Sequence, residues 1–278
     1  MKLVLEGGGV RAAYQAGVLK GLAMADIQPH AVIGSSSGAI NAAFFAAGQI
    51  DTACDLWMNH VPSERFISYR RQFTPGAKPG LGVDDMLDDV IRAQGLLDIE
   101  RATTGPIHLY LTATDIDANA GHVARPNRDN IYEWLRAAMA LPVGYNKVVS
   151  IDGMRFIDGG IGSPCPFDSK LDEEYPAPNV VILTRKSMTR KPPPVLWERI
   201  AVRTIVPKEA RNICLTQHHH HNSTMDRLRD AVAKGEVMLI EPPDGMPLSR
   251  LTRDPKKIRK GVEMGIRQGE ALAKKLRS

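Results

Sequence analysis

The sequence predicts an α/β fold built on a mainly parallel sheet, and residues 1–48 carry the reasons. Two strand–turn–helix units follow one another there: Leu3-Val4-Leu5 runs into a glycine turn, and His30 to Ile33 runs into a second one. After the first turn Tyr14, Gly17, Val18, Gly21, Leu22 and Ala25 recur at helical spacing. After the second, Gly38 to Ala47 is a run of small side chains able to lie close on a sheet. Strands that alternate with helices in this way pair in parallel, because each helix must carry the chain back across a face of the sheet.

The remaining elements extend this plan. Ile107 to Thr114, Asn179 to Thr184 and Val237 to Ile240 read as further strands. Val148 to Ile151 and Met154 to Asp158 flank Asp152-Gly153, the dipeptide that fits a type I′ turn, and so form a hairpin. Phe73 to Gly82 is rich in proline and glycine and reads as a mobile surface loop, and Lys191-Pro-Pro-Pro194 as a short stiff link. Near the end, Ile258, Val262, Gly265, Ile266, Gly269, Leu272 and Leu276 share one helical face with Lys and Arg on the others. That pattern predicts a terminal helix packed on the core, with contact between its basic face and an anionic membrane as the second reading.

Composition narrows the function. The net charge of +5 belongs to the tail: residues 251–278 hold nine Lys and Arg against three Asp and Glu, and the first 250 hold 27 against 28. A near-neutral body argues against a nucleic-acid groove. No apolar run reaches the about eighteen residues of a membrane span, and Met1 leads into strand-like residues, so a soluble cytoplasmic protein is expected. Cys54, Cys165 and Cys214 are odd in number and lack metal-ligand spacing, as free thiols in a reducing compartment would be.

Three short motifs carry chemistry. Gly34-Ser35-Ser36-Ser37-Gly38 lies between a strand and a helix, the setting of a nucleophile elbow; Gly34 and Gly38 allow the sharp bend around Ser36, and the helix N-terminus favours negative charge there. Only one strand precedes this elbow, so the common Ser–His–acid arrangement fits poorly and the histidines 218–221 are not drafted into a triad. Those four histidines read as a solvated helix start, with no metal assigned. Gly7-Gly8-Gly9-Val10-Arg11 offers unpaired backbone amides before a helix, suited to a phosphate or to an oxyanion. A dinucleotide fingerprint, Gly7-x-Gly9-x-x-Ala12, fails for want of an acid at the end of the second strand. Asp158-Gly159-Gly160 closes the hairpin among Phe156, Ile157 and Ile161, apolar neighbours that raise a carboxyl pKa toward that of a useful base.

In this order the three motifs resemble the patatin-like phospholipase family. The likeness extends through Thr112 to Asp115, Ala140 to Pro142 and Val180 to Arg185, and more loosely through Ile240-Glu-Pro-Pro243. The resemblance implies a three-layer α/β/α sandwich with a catalytic domain over residues 1–190 and a mostly helical extension over 191–278. It implies a Ser36–Asp158 dyad without a catalytic histidine, an oxyanion hole at Gly7 to Arg11 formed chiefly by the Gly8 and Gly9 amides, no cofactor, and hydrolysis of lipid or other acyl esters. A catalytically silent lipid-binding protein on the same fold is the rival reading. The family's loop usually has glycine where this chain has Ala12, a change that is harmless only if that residue is helical.

Overall fold

The computed structural model describes residues 1–72, 78–167, 171, 174–175 and 179–277. Eight strands, β1 (Lys2–Leu5), β2 (Ala31–Ser35), β3 (His108–Asp115), β4 (Ala120–Ala124), β5 (Val149–Ile151), β6 (Met154–Asp158), β7 (Asn179–Ile182) and β8 (Val237–Ile240), form one sheet. The helices are α1 (Ala12–Met24), α2 (Ser37–Ala46), α3 (Ile50–Asp55), α4 (Tyr69–Gln72), α5 (Ile99–Thr104), α6 (Ile131–Ala138), α7 (Gly159–Gly162), α8 (Leu196–Ile205), α9 (Arg211–Ala233) and α10 (Pro255–Arg277). Much of the proline- and glycine-rich loop expected over 73–82 lies outside the described residues.

Strands β8, β7, β1, β2 and β3 lie side by side in parallel, whereas β4, β5 and β6 pair antiparallel. The sheet is therefore mixed, with a parallel centre and an antiparallel flank built on the predicted hairpin. At that hairpin's turn both Asp152 (φ 50°) and Gly153 (φ 79°) are left-handed, as a type I′ turn requires. Burial follows the two-residue period of the strands. Leu3, Leu5, Val32, Leu111 and Ile182 face one core with Leu19, Phe44, Leu135 and Val262 from the helices. Val4, Ile33, Tyr110, Val181 and Leu183 face a second core with Met225 and Leu228 of α9. Helices thus cover both faces, giving three layers.

Two details position the site. Strand β3 has β4 along one edge from Leu111 to Asp115, so β2, which pairs with His108 to Thr112, must hold the other edge. Strand β6 pairs with Ala113 to Asp115 on that same second edge, beginning where β2 stops: Ser35 lies opposite Thr112, and Asp158 opposite Ala113. The C-terminal ends of β2 and β6 therefore meet head to head. The second detail is a bracket of buried side chains. Asn41 of α2 donates to the Ala12 carbonyl at 2.8 Å and accepts from Trp57 Nε1 at 2.7 Å, while Gln15 of α1 donates to the Ile182 carbonyl at 2.9 Å. These bonds tie the starts of α1 and α2 to the carboxyl ends of the strands.

The C-terminal helix α10 lies on α1, and the contact is made by glycines. A Cβ on Gly265 would fall 2.1 Å from the Tyr14 carbonyl oxygen, and one on Gly17 2.1 Å from that of Val262. The apolar row of α10 is thereby buried against the body, the packing expected of a terminal helix. Gly265→Ala is expected to force the helices apart and cost about 3 kcal/mol in urea unfolding, whereas Glu263→Ala on the exposed side of α10 stays within about 0.5 kcal/mol of wild type.

Candidate active site

Ser36 stands where β2 gives way to α2. Its φ of 51° and ψ of −127° lie where non-glycine residues rarely go, and the neighbours enforce that conformation. A Cβ on Gly34 would lie 2.4 Å from the Gly38 carbonyl oxygen, and one on Gly38 2.8 Å from that of Leu5. Only glycine fits on either side of so sharp a bend, which turns the serine side chain outward.

The carboxylate reaches it from the end of β6. Ser36 Oγ donates to Asp158 Oδ2 at 2.7 Å, and the Gly160 amide donates to Oδ1 at 2.7 Å. The backbone that carries Asp158 is pinned as well, since its carbonyl accepts from Thr114 Oγ1 at 2.7 Å and its amide donates to the Ala140 carbonyl at 3.0 Å. A Cβ on Gly159 would meet the Thr112 carbonyl at 2.2 Å, so glycine is required where the chain crosses β3. Asp158 is only 2% exposed. Burial pushes its pKa up to about 6, against the opposing pull of the Ser36 hydroxyl, the Gly160 amide and the charges of Arg250 and Lys191.

The glycine loop lies beside this pair. The Gly7 amide donates to the Pro164 carbonyl at 3.2 Å, and the Val10 amide to the Arg250 carbonyl at 3.0 Å. The Gly8 amide donates to Ser37 Oγ at 3.0 Å, so of the two donors expected for an oxyanion it is already engaged. The Gly9 amide has no acceptor among the described residues, and Gly9 is held at φ 58° against the Arg250 backbone. Arg11 Nε donates to the Gly8 carbonyl at 3.3 Å and so steadies the loop. Ala12 is helical (φ −64°, ψ −13°), and its methyl costs nothing in backbone strain.

Four cations surround the loop: Arg11, Arg185, Lys191 and Arg250 act on one another's charge. Burial, then Arg250 and Arg185, brings Lys191 down to about 8. Buried Glu6 answers part of this charge. Its Oε2 accepts from the Thr184 amide at 2.7 Å and from Thr184 Oγ1 at 2.8 Å, and its Oε1 lies 3.7 Å from Arg185 Nε. The histidines 218–221 do not begin a helix, because α9 starts at Arg211 and runs unbroken past them. Successive residues on a helix point in different directions, so one of the four turns inward. His221 is buried against Arg185, whose Nη2 lies 2.6 Å from its Nε2, and burial followed by the charge of Arg185 holds its pKa near 3.

All the motif residues read from the sequence are thus brought to one place, the carboxyl ends of β1, β2 and β7, where open α/β sheets bind ligands. Sequence reasoning missed Arg250, Lys191 and the Glu6–Thr184 pair. They have no local pattern, and only the pairing of β7 with β1, of β8 with β7, and the return of the chain to Gly9 bring them in.

A strained serine at a strand–helix bend, bonded to a buried aspartate beside a loop of glycine amides, places the protein among α/β proteins with a Ser–Asp pair. The family model for patatin-like phospholipase matches residues 3–170, and the chain belongs to that family. A domain of unknown function (DUF6363) matches residues 208–278. The chain is 30% identical over 168 residues to the uncharacterized protein YjjU of Escherichia coli K12, covering 59% of this chain and 46% of that one. It is 27% identical over 169 residues to an uncharacterized NTE family protein of Mycobacterium bovis, covering 59% and 43%. The chain thus spans less than half the length of these relatives. In architecture it is similar to VipD from Legionella pneumophila, with a TM-score of 0.53 at 13% identity over 99% of this chain and 66% of that one, a likeness of fold alone.

The buried carboxyl has a consequence for stability. Asp158 titrates near 3.8 when unfolded and near 6 when folded, so the folded state holds the proton more tightly. Its contribution is whole below about pH 4 and is lost as the pH rises through 6. Asp158→Asn is expected to flatten that part of the stability curve and to stabilise the protein at pH 7 by on the order of 2 kcal/mol, measured by urea unfolding at several pH values.

Proposed function

We propose that the protein is a serine acyl hydrolase acting on acyl esters of lipids, with Ser36 as nucleophile and Asp158 as its base. Membership of the patatin-like phospholipase family supports lipid acyl hydrolysis in general. The observation that carries the finer reading is the bond from Ser36 Oγ to Asp158 Oδ2 at 2.7 Å, made to a carboxylate whose pKa burial has brought to about 6. A base so poised is largely ionised at neutral pH yet still takes a proton readily.

The reaction follows from the geometry. Asp158 accepts the hydroxyl proton as Ser36 Oγ attacks the ester carbonyl carbon, and the carbonyl oxygen becomes an oxyanion. The open Gly9 amide, on the loop whose Gly7 packs against Ser36, is the donor assigned to receive it. The amide of Ser37, at the first turn of α2 and without an acceptor among the described residues, is a second donor, and the helix N-terminus adds its field. The Gly8 amide joins them only when Ser37 Oγ turns away. As the tetrahedral species collapses, Asp158 returns the proton to the leaving alcohol. Water, deprotonated by the same carboxylate, then frees the acid from the serine. Every proton transfer runs through Asp158, and no histidine is used: His221 is buried against Arg185 and is held neutral.

The cations fit the same reading. With Arg11, Arg185, Lys191 and Arg250 around the loop and Glu6 as the carboxylate set among them, the site favours both the oxyanion and an anionic group on the substrate.

Hydrolysis of 4-nitrophenyl esters of graded chain length tests this reading. Ser36→Ala and Asp158→Asn are each expected to lower kcat/KM by about 10³-fold or more, and Ser36→Ala to abolish labelling by a fluorophosphonate. Wild-type kcat/KM should rise with pH to a plateau, with its midpoint near the Asp158 value of about 6. Equal labelling of wild type and Ser36→Ala would leave the chain a silent lipid-binding protein. Gly9→Ala, which sets a methyl against the Arg250 carbonyl and shifts the open amide, should cost about 10²-fold in kcat.

A further inference from the structure

Large apolar side chains are seldom left in water in a cluster. Among the described residues, eight are exposed, and six of them fall within 188–205: Met188 (72% exposed), Val195 (52%), Leu196 (74%), Trp197 (65%), Ile200 (55%) and Ile205 (45%). Four of these belong to α8. Leu196 and Ile200 stand one turn apart with Trp197 beside them, and together they form a ridge that faces solvent. Arg199 and Arg203, also one turn apart, run along its flank; both are exposed, and neither guanidinium has an acidic partner among the described residues. The acid of the helix is taken up by its own first turn, since Glu198 accepts from the Val195 amide at 2.9 Å.

From this arrangement we infer that α8 is a membrane-docking helix that seats the protein on an anionic lipid surface, with Leu196, Trp197 and Ile200 entering the headgroup boundary and Arg199 and Arg203 meeting lipid phosphates. A ridge of two aliphatic side chains and an indole, edged by two unpaired arginines, matches an interface that is apolar below and negatively charged above. No helix among the described residues is long and apolar enough to cross a membrane, so the contact is peripheral. The terminal helix α10, for which the sequence pattern offered such contact as the second reading, has its apolar row packed on α1.

The position of α8 connects docking to the site. Val202 and Val206, on or just after the buried side of the helix, share a cluster with Ile157 and Ile161, the residues that flank Asp158 to Gly160. Lys191, whose charge reaches Asp158, opens the proline link that leads into α8. One apolar layer therefore separates the lipid-facing ridge from the Ser36–Asp158 pair. The inference rests on the acyl hydrolase reading for its purpose but not for its test.

The test uses the full chain carrying Ser36→Ala, which cannot turn over lipid, and vesicles of phosphatidylcholine alone or with phosphatidylglycerol at three to one. Trp57 and Trp134 are buried at 3% and 5% exposure, so a blue shift on adding vesicles reports Trp197. The shift and co-sedimentation are expected with the anionic vesicles and to weaken with salt. Leu196→Ser with Ile200→Ser should lower the partition by about tenfold or more, and Arg199→Gln with Arg203→Gln by about fivefold per arginine. Reversing Lys256 and Lys260 of α10 to Glu should leave the Trp197 shift in place. Unchanged tryptophan emission, or equal binding by the α8 variants, overturns the inference. So does loss of a self-associated state in those variants with no vesicle binding by the parent, which would mark the ridge as a contact between copies. In the Ser36-intact background, a soluble 4-nitrophenyl acetate assay separates the two readings: α8 variants should retain that activity while losing vesicle binding, whereas failure of the hydrolase reading shows as no Ser36-dependent activity at all.

Discussion

The site depends on how one edge of β3 is shared. Strand β2 occupies that edge up to Thr112 and β6 takes it over from Ala113, running the opposite way. Two strands that approach end to end on a common partner bring their last residues together, and these are Ser35 and Asp158. The turn at Ser36 then has to carry its hydroxyl only across the gap between the two strand ends. Sheet hydrogen bonds fix both sides of that gap, so the 2.7 Å bond from Ser36 Oγ to Asp158 Oδ2 is a property of the ladder rather than of two flexible loops. A site carried on rigid elements in this way holds its geometry without a third residue to orient the carboxylate. The Gly160 amide and Thr114 Oγ1, both anchored beside the same strand, take the place that an orienting acid has in a histidine triad.

The antiparallel hairpin is what makes this possible. In an all-parallel sheet every strand would end at the same side, and no chain end would run toward Ser36. Reversing β6 brings an aspartate into the site from the opposite direction, together with Phe156, Ile157 and Ile161, whose bulk dries the carboxyl. The same apolar surroundings that push Asp158 up to about 6 also receive Val202 and Val206 from the C-terminal region. Burial of Asp158 and attachment of α8 are thus one packing event.

Much of this was legible in the sequence because it rests on local rules. The glycines at 34 and 38 announce a bend that no side chain tolerates, Asp152-Gly153 fixes the hairpin, and the apolar neighbours of Asp158 foretell its raised pKa. The strand-like runs Ile107 to Thr114, Asn179 to Thr184 and Val237 to Ile240 match β3, β7 and β8 within a residue or two. What escaped has no local signature. Strand β4 is short and, apart from His122 and Val123, made of alanine and glycine, so nothing in its composition separates it from a turn. The engagement of the Gly8 amide by Ser37 Oγ depends on a rotamer. The histidines at 218–221 were misplaced because the residue that caps α9 is Ala210, which has no capping side chain to announce the helix start. Arg250 comes beside Gly9 only because the chain returns between β8, paired with β7, and α10, packed on α1.

That last contact changes the meaning of the C-terminal region. As sequence, its basic tail is a terminal helix packed on the core with a solvated basic face, or, as a second reading, one that meets a membrane. In the fold it completes the sheet through β8, buries α1 through the glycine crossing of α10, and lays the Arg250 carbonyl on the Val10 amide at 3.0 Å. By taking up the Val10 amide and crowding Gly9 into a left-handed turn, Arg250 leaves the Gly9 amide as the open donor of the loop. The extension therefore acts on the glycine loop through its backbone and on Asp158 through its charge. A loop whose donors are set by a distant segment is preorganised without strain in its own sequence, and its fidelity then depends on the stability of the α1–α10 contact.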